Sequence, residues 1–121
     1  MTNDIRVHVA TLKYLANIKD ENMEEKGLRY NEGKLQWSLV DFNSLEPLVR
    51  VLEYGKNKYG KDNWKKGLDP TQTLESLSRH LFSLMAGEEL DKESNLPHIG
   101  HILANAMMYY YSNELVKNGT R

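Results

Sequence analysis

Two predicted helices and the turn that joins them lie in one stretch, residues 78–105, with the sequence SRHLFSLMAGEELDKESNLPHIGHILAN. This stretch contains three of the four histidines of the protein. His80 lies among leucines at helical spacing, and Glu88 follows two turns later on nearly the same face. His98 and His101 come three residues apart on the next helix, so their side chains share one face. Because these metal-competent groups are in line with apolar stripes, the stretch predicts an internal site framed by the rest of the chain.

The composition is that of a small globular protein. With 121 residues, 40% hydrophobic and 27% charged, the chain is long enough for one domain with a single modest core. A net charge of −1 gives no sequence-independent attraction to nucleic acid or anionic lipid. The absence of cysteine excludes disulfides, thiolate nucleophiles and cysteine-based zinc sites.

No signal for a membrane or for secretion is present in the sequence. No apolar run approaches the roughly 20 residues of a membrane span. The N-terminus, MTNDI, lacks the basic and apolar regions of a signal peptide. We therefore expect a cytoplasmic protein that binds neither membrane nor nucleic acid.

The first two predicted helices are delimited by capping residues. Ser44 is a good N-cap, Pro47 is tolerated in the first turn, and this helix is predicted to end at Gly60. Thr71 or Thr73 is predicted to cap the second helix, which runs to about residue 87.

The last helix is predicted to begin at Asn95 or Leu96, with Pro97 in its first turn, and to run to about Lys117. It is apolar over much of its circumference, which is typical of a central helix in a bundle or of a dimer interface. Its predicted core face contains Ile99, Ile102, Leu103, Ala106 and Tyr110. The adjacent face contains His98, His101, Asn105, Met108 and Ser112. Strand signals are weak throughout, so the fold is predicted to be an all-α, compact helical bundle that oligomerisation completes or extends.

In two segments the apolar residues do not recur with the spacing of one kind of secondary structure alone. Residues 2–26 suit either a strand or a helix, and their length and charged tail favour a fraying helix. A loose arm that packs on a partner subunit is an equal alternative. Residues 28–43 predict an ordered loop pinned by Trp37 and Phe42. We therefore divide the chain into an N-terminal helix or arm, residues 1–26, and a helical domain, residues 27–121.

The histidines and acids form the strongest chemical pattern. Neutral imidazole and carboxylate oxygens are suitable ligands for Mg²⁺, Mn²⁺ or Zn²⁺. Two such groups three or four residues apart on a helix can share one ion. His98 and His101 meet this condition, and so do Glu88 and Asp91 if their turn is helical. One such histidine is more often a hydrogen-bonded core residue, but three histidines and two acids in one short segment favour a metal site.

Basic and aromatic residues form a second pattern. The candidates are four cations, Arg29, Lys34, Lys58 and Arg79, and three rings, Trp37, Tyr59 and Trp64. Alone, such a pattern is typical of a solvated surface. Beside a metal site it favours a nucleotide, since cations offset phosphate charge and rings stack on a base. Neither a glycine-rich phosphate loop nor a nucleophile elbow is present.

Spaced residues over roughly 28–111 match a known pattern. They are Gly33-Lys34, Tyr54-Gly55-x-x-Lys58-Tyr59-Gly60, Asn63-Trp64-x-x-Gly67, Arg79-His80-Leu81 and Gly87-Glu88-x-x-Asp91-x-Glu93-x-x-x-Pro97-His98-x-x-His101-x-x-x-Asn105. This set resembles a phage-borne family described as dATP/dGTP diphosphohydrolase, N-terminal domain type. That family looks related to the MazG-like all-α nucleoside triphosphate pyrophosphohydrolases.

The resemblance implies a MazG-like bundle that assembles as a homo-oligomer, a dimer or a tetramer. It implies cleavage of deoxynucleoside triphosphates, in phages often purine ones, between the α- and β-phosphates. The products would be a monophosphate and pyrophosphate, and the cofactor Mg²⁺ or Mn²⁺. A phage-encoded member would work in the host cytoplasm.

The ligand pattern departs from that of the MazG-like enzymes, which hold metal with a Glu-x-x-Glu pair and a Glu-x-x-Asp pair. Glu88-x-x-Asp91 has the second spacing but lies in the turn, and His98-x-x-His101 stands on the helix. Either histidines replace carboxylates here, or the acidic turn supplies the ligands.

The preferred hypothesis is a metal-dependent nucleotide pyrophosphohydrolase, with three roles for its residues. The predicted metal ligands are Glu88, Asp91, His98 and His101. The predicted catalytic residues are Glu53, His80 and Glu88. The predicted substrate-binding residues are Arg29, Lys34, Lys58, Trp64, Arg79 and Asn105.

Two other classes of function stay open. One is a nucleotide-binding or regulatory module without turnover. The other is a small helical interaction protein whose histidines are structural.

Overall fold

The computed structural model describes residues 12–13 and 26–119. The chain divides into two units, Met1–Gln36 and Trp37–Arg121. In the first unit the described residues 26–36 form an exposed segment with one turn. The predicted N-terminal helix or arm, residues 1–26, lies almost entirely outside the described residues. The second unit contains the three helices described below.

The second unit is helical, and no strand occurs among residues 37–119. Helix α1 spans Glu46–Tyr59, α2 spans Pro70–Met85 and α3 spans His98–Lys117. Short 3₁₀ turns occupy Trp37–Leu39, Phe42–Leu45 and Asn63–Lys66. Helix α3 packs against both α1 and α2 and is the centre of the unit. The predicted all-α bundle is therefore confirmed.

The helix starts differ from the predicted caps. The predicted N-cap Ser44 is wrong, because its hydroxyl donates to the Asp41 carboxylate and α1 begins after Leu45. The caps Thr71 and Thr73 are also wrong. Asp69 caps α2 by accepting a hydrogen bond from the Thr71 N–H at 3.0 Å. Aspartate before a proline at the first helical position is a strong N-cap arrangement.

The close contact between α1 and α3 depends on a glycine. A Cβ atom at Gly100 would lie 2.5 Å from the carbonyl oxygen of Pro47 and 3.0 Å from Cγ2 of Val51. No side chain fits with its Cβ atom 2.5 Å from a backbone carbonyl oxygen. Gly100 therefore sets how closely α3 can approach the first turn of α1.

The interior of the second unit is small and partly polar. Val51 and Ala104 are the buried apolar side chains among the described residues, whereas Thr73, His98 and Ser112 are buried polar ones. Trp37 and Phe42 remain 69% and 66% exposed. The prediction that these rings pin the loop is therefore wrong for its part within this unit, residues 37–43.

Three of the five residues on the apolar face predicted as the core of α3 point outward instead, whereas Ile102 and Leu103 are half-buried. Ile99 and Tyr110 are 41% and 63% exposed, and Ala106 between them is exposed as well. The face that is buried contains His98, Ala104 and Ser112. Pattern alone cannot separate the two faces, because α3 is apolar around most of its circumference.

Among the described residues, none of the helices combines the length and the apolar content that a membrane span requires.

Candidate active site

The candidate site is built by the turn between α2 and α3. In this turn the Asp91 N–H donates to the Leu96 carbonyl at 2.8 Å, and the His98 N–H donates to the Glu89 carbonyl at 2.8 Å. The turn is therefore a tight, hydrogen-bonded loop rather than a helix. It places Asp91 over the junction where α2 and α3 meet.

Three side chains converge at this junction. Nδ1 of His80, on α2, lies 2.8 Å from Nδ1 of His98, on α3. The same His80 nitrogen lies 3.9 Å from Oδ1 of Asp91. Potential ligand atoms of His80, Asp91 and His98 all lie within 4.8 Å of one another. Two imidazoles and a carboxylate at these distances form a candidate metal centre.

Glu88 stands on the other side of the His98 ring. Nε2 of His98 is buried and has no hydrogen-bond partner within the described part of the chain. An oxygen of the Glu88 carboxylate lies 3.8 Å from this nitrogen. Glu88 therefore faces the outer nitrogen of His98, away from the nitrogen that meets His80.

His101 is joined to Asp91 through a serine. Nε2 of His101 lies 2.7 Å from Oγ of Ser94. The Ser94 hydroxyl donates to Oδ2 of Asp91 at 3.0 Å, and the Ser94 N–H donates to the same oxygen at 2.9 Å. The His101 ring also stacks on the His80 ring, with centroids 4.3 Å apart and planes 3° from parallel. Ser94 thus fixes one carboxylate oxygen and leaves the other directed at His80.

The electrostatics keep the two stacked rings neutral. Burial lowers the pKa of His80, and the nearby His101 lowers it further, whereas Asp91 acts in the opposite direction. Burial is also the main cause of the lowered pKa of His101. Neutral imidazoles retain a lone pair that a metal ion can use.

The carboxyl group of Asp91 is held in its charged form. Burial works against this, but hydrogen bonds from the backbone and side chain of Ser94, together with His101, leave its pKa lowered. An ionised oxygen on Asp91 and a neutral imidazole on His80 are protonation states that metal binding needs.

A cleft of about 1110 Å³ opens beside this cluster, within the second unit. Its wall includes His80, His98, His101 and Asp91. Predicted catalytic and substrate-binding residues that also line it are Glu53, Lys58, Trp64, Arg79 and Asn105. The structure therefore brings most of the predicted site residues to one cavity.

Several of these residues already have partners. Lys58 makes an ion pair with Glu93 at 2.8 Å, which raises its pKa, and its ammonium lies 5.2 Å from the Tyr59 ring centroid. The Trp64 ring meets Tyr111 edge to face, with centroids 5.1 Å apart. The Asn105 amide nitrogen donates to Oγ of Ser76 and to the His101 carbonyl. Trp64 and Asn105 therefore support the cleft, besides lining it.

The predicted roles of Arg29 and Lys34 are not addressed by this geometry. Both residues are exposed and belong to the first unit, Met1–Gln36. Their part in substrate binding stays a prediction.

Ser94 and Tyr54 were missed as site residues. Ser94 follows Asp91 by three residues, a spacing at which hydroxyl and carboxylate side chains organise a turn, so the sequence contained a signal. Tyr54 meets the His101 ring edge to face, with centroids 6.5 Å apart. Its position on α1 gives no such signal, because the contact is made across the cleft.

The sequence matches the model of a known protein family over most of its length. A family model described as dATP/dGTP diphosphohydrolase, N-terminal, matches residues 24–119. The chain belongs to this family. It is also 33% identical over 85 residues to a protein of Salmonella phage PMBT28 named dATP/dGTP diphosphohydrolase.

The match to the phage protein is partial. The aligned part covers 70% of this chain but only 29% of the phage protein. The chain therefore spans less than a third of that relative, which has a large part with no counterpart here. No solved structure matches the chain.

Proposed function

We propose that this family member hydrolyses purine deoxynucleoside triphosphates to a monophosphate and pyrophosphate with the help of a divalent metal ion. The name of its phage relative supports the substrate class and the release of a diphosphate. The resemblance of the sequence favours Mg²⁺ or Mn²⁺ as the ion.

One observation carries the proposal. The histidine and carboxylate cluster opens into a cleft of about 1110 Å³ whose wall also contains Lys58 and Arg79. Ligand pockets of about 300–1,000 Å³ hold drug-sized molecules, so a nucleoside triphosphate fits this volume. Metal-competent groups and cations in one cleft suit a polyphosphate better than an uncharged ligand.

The proposed chemistry is a displacement at phosphorus. The oxygen of a water molecule forms a bond to the α-phosphorus, and the bond from that phosphorus to the bridging oxygen breaks, so pyrophosphate leaves. A bound divalent ion would lower the pKa of this water and stabilise charge on the phosphate oxygens. Glu53 would accept the proton of the water, because its exposed carboxylate lines the cleft and has no ion pair within the described residues.

Two cations would offset the phosphate charge. Arg79 is exposed on the cleft side of α2, and a guanidinium can bind phosphate oxygens in pairs. Lys58 would exchange its exposed partner Glu93 for a phosphate oxygen, since both side chains of this pair are well solvated.

A second candidate function is nucleotide binding without turnover. The family model describes an N-terminal segment, and the chain spans 29% of its phage relative, so the named activity can reside in the unmatched part. In that case the cleft would hold a nucleotide for a catalytic site elsewhere.

Assembly as a homo-oligomer belongs to the proposal. Leu74, Leu81 and Met85 on α2 have the same i, i+7, i+11 spacing as Ile99, Ala106 and Tyr110 on α3, and all six are exposed. None of the six lines the cleft. Since equal spacing on two antiparallel helices puts both rows on the same side of the pair, we place them on the side turned away from the cleft. We call this surface, with Phe82, the outer flank. These seven side chains are uncharged, so a second copy of the chain can pack on them without burying a charge of their own.

The test is a panel of deoxynucleoside triphosphates with product analysis. We expect purified protein to release pyrophosphate with a divalent ion, and to lose that activity in EDTA and in Asp91→Asn. Glu75→Gln is the matched control, because Glu75 is exposed on α2 and does not line the cleft. Nucleotide binding without pyrophosphate release would favour the second candidate. Absence of both would leave a helical interaction protein.

A further inference from the structure

We infer that His80, His98 and Asp91 select an imidazole-seeking transition-metal ion, such as Zn²⁺, rather than Mg²⁺. The inference rests on the proposed function and deepens it, because it replaces the Mg²⁺ or Mn²⁺ that the resemblance implies with an ion that these ligand atoms fit better. Metal binding is measured apart from turnover, so the two proposals can fail separately.

The distances suit a small ion with tetrahedral ligands. Zinc–nitrogen bonds of about 2.0–2.1 Å place two tetrahedral ligand atoms about 3.3 Å apart. The two Nδ1 atoms are 2.8 Å apart, and an Asp91 oxygen is 3.9 Å from His80 Nδ1. These two separations differ from ligand spacing by around half an ångström. The third, between Asp91 and His98, is within 4.8 Å, so side-chain rotations that move atoms by up to about 1.5 Å would bring all three to ligand spacing.

The buried nitrogen of His98 is an independent observation. Nε2 of His98 has no hydrogen-bond partner among the described residues, although the ring is only 2% exposed. A metal ion on Nδ1 would keep the proton on Nε2, where Glu88 stands 3.8 Å away. Metal-bound histidines usually donate their outer N–H to a carboxylate of this kind. Glu88 is therefore a positioning residue, and not a ligand.

The donor atoms disfavour Mg²⁺. This ion requires near-octahedral oxygen ligands and is usually bound by carboxylates and water, whereas imidazole suits zinc, iron, nickel and copper. Asp91 is the one oxygen donor in the group of three, and its second oxygen is committed to Ser94. Two nitrogens and one oxygen leave Mg²⁺ poorly matched.

His101 is also a positioning residue in this arrangement. Its Nε2 contacts Ser94, which in turn holds Asp91, and its ring supports the face of His80. Loss of the His101 ring removes this support but no ligand. We therefore expect His101→Ala to weaken metal binding less than His98→Ala does.

The experiment titrates the full chain, freed of metal by chelator and dialysis, with Zn²⁺, Mn²⁺ and Mg²⁺ separately in a calorimeter. We expect one Zn²⁺ per chain, bound at least 100-fold more tightly than Mg²⁺. His98→Ala and Asp91→Asn should each weaken Zn²⁺ binding at least 100-fold, and Glu88→Gln by 10- to 100-fold. Glu114→Gln, near the far end of α3, is the control and should bind as the wild type does.

Circular dichroism would establish that each variant is folded. If His98→Ala does not fold, Asp91→Asn still tests the inference, because asparagine has the same shape as aspartate. Equal or tighter binding of Mg²⁺ by the wild type would overturn the inference, as would Zn²⁺ binding that both substitutions leave unchanged. Tight Zn²⁺ binding without hydrolysis would contradict the proposed function alone. Hydrolysis with Mg²⁺ and no Zn²⁺ binding would contradict this inference alone.

Discussion

The two sides of the α2–α3 pair differ in polarity, and the more polar side is the one that faces the interior. The side that faces the cleft and the interior contains histidines, Asn105 and the fully buried Ser112. The outer flank exposes large apolar side chains, and Phe82 and Met85 are 70% and 73% exposed. In most small proteins the apolar side would be the interior.

This difference fits the proposed metal site on the cleft side and the proposed contact with a second copy on the outer flank. A polar interior is costly unless its groups are hydrogen-bonded or bind a ligand. The unpartnered nitrogen of His98 is consistent with a ligand on the cleft side. An apolar surface of this kind marks a place where another protein surface packs. The unit itself is held together by a few close contacts inside, and the exposed apolar side is where the proposed second copy would pack.

The largest effect is expected where the inner side is most tightly packed. In Gly100→Ala the new methyl group would lie 2.5 Å from the Pro47 carbonyl oxygen, so α1 and α3 must move apart. We expect the free energy of unfolding to fall by about 3 kcal/mol, measured by urea denaturation. Gly55→Ala is the control, because a Cβ atom at Gly55, in α1, would meet nothing within 4 Å beyond its own helix. It should stabilise the protein by about 0.5–1 kcal/mol. Equal effects of the two substitutions would show that α1 and α3 are not closely packed.

The sequence predicted the existence of the helices better than their orientation. Prolines and apolar spacing located the three helices of the second unit, although the predicted caps were wrong and Asp69 was overlooked as the cap of α2. Which face of α3 is buried could not be predicted, because apolar residues surround most of that helix. The buried face is decided by Gly100 against α1 and by His98 against α2, which are tertiary contacts.

The candidate site was predicted as a cluster but not as a ligand set. Helical spacing brought His98 and His101 to one face, yet the structure gives them different surroundings, since His101 is joined to Ser94 and His98 to His80. The turn geometry that produces this difference depends on backbone hydrogen bonds across the turn, from His98 to Glu89 and from Asp91 to Leu96. Such bonds leave no periodic trace in a sequence.

A smaller effect is expected on the outer flank, and it should be on association rather than folding. Phe82→Lys places a charge on a side chain that is 70% exposed, so the fold of one chain should lose less than about 0.5 kcal/mol. The dissociation constant of the homo-oligomer should rise at least tenfold, or about 1.4 kcal/mol, by sedimentation equilibrium. Gln72→Lys, also exposed on α2, should leave that constant unchanged. A wild-type protein that stays monomeric at every concentration would contradict self-association through this flank.

The smallest effect is expected at the buried hydroxyl of α3. The Oγ atom of Ser112, which is 0% exposed, accepts a hydrogen bond from the Leu68 N–H at 2.9 Å and so ties the loop before α2 to α3. Ser112→Ala removes this bond while keeping the packing of the small side chain, so we expect a loss of about 1 kcal/mol in the free energy of unfolding. Ser78→Ala, on α2, should change stability by less than half of that, because no hydrogen bond of its hydroxyl occurs among the described residues.

The loop before α2 also holds Trp64 against Tyr111, so tryptophan fluorescence of folded Ser112→Ala should shift if the hydroxyl positions the cleft wall. If both the spectrum and the free energy of unfolding stay unchanged, the polar interior at this end of α3 does not contribute to stability. The contrast in polarity between the two sides would then matter only at the histidine cluster.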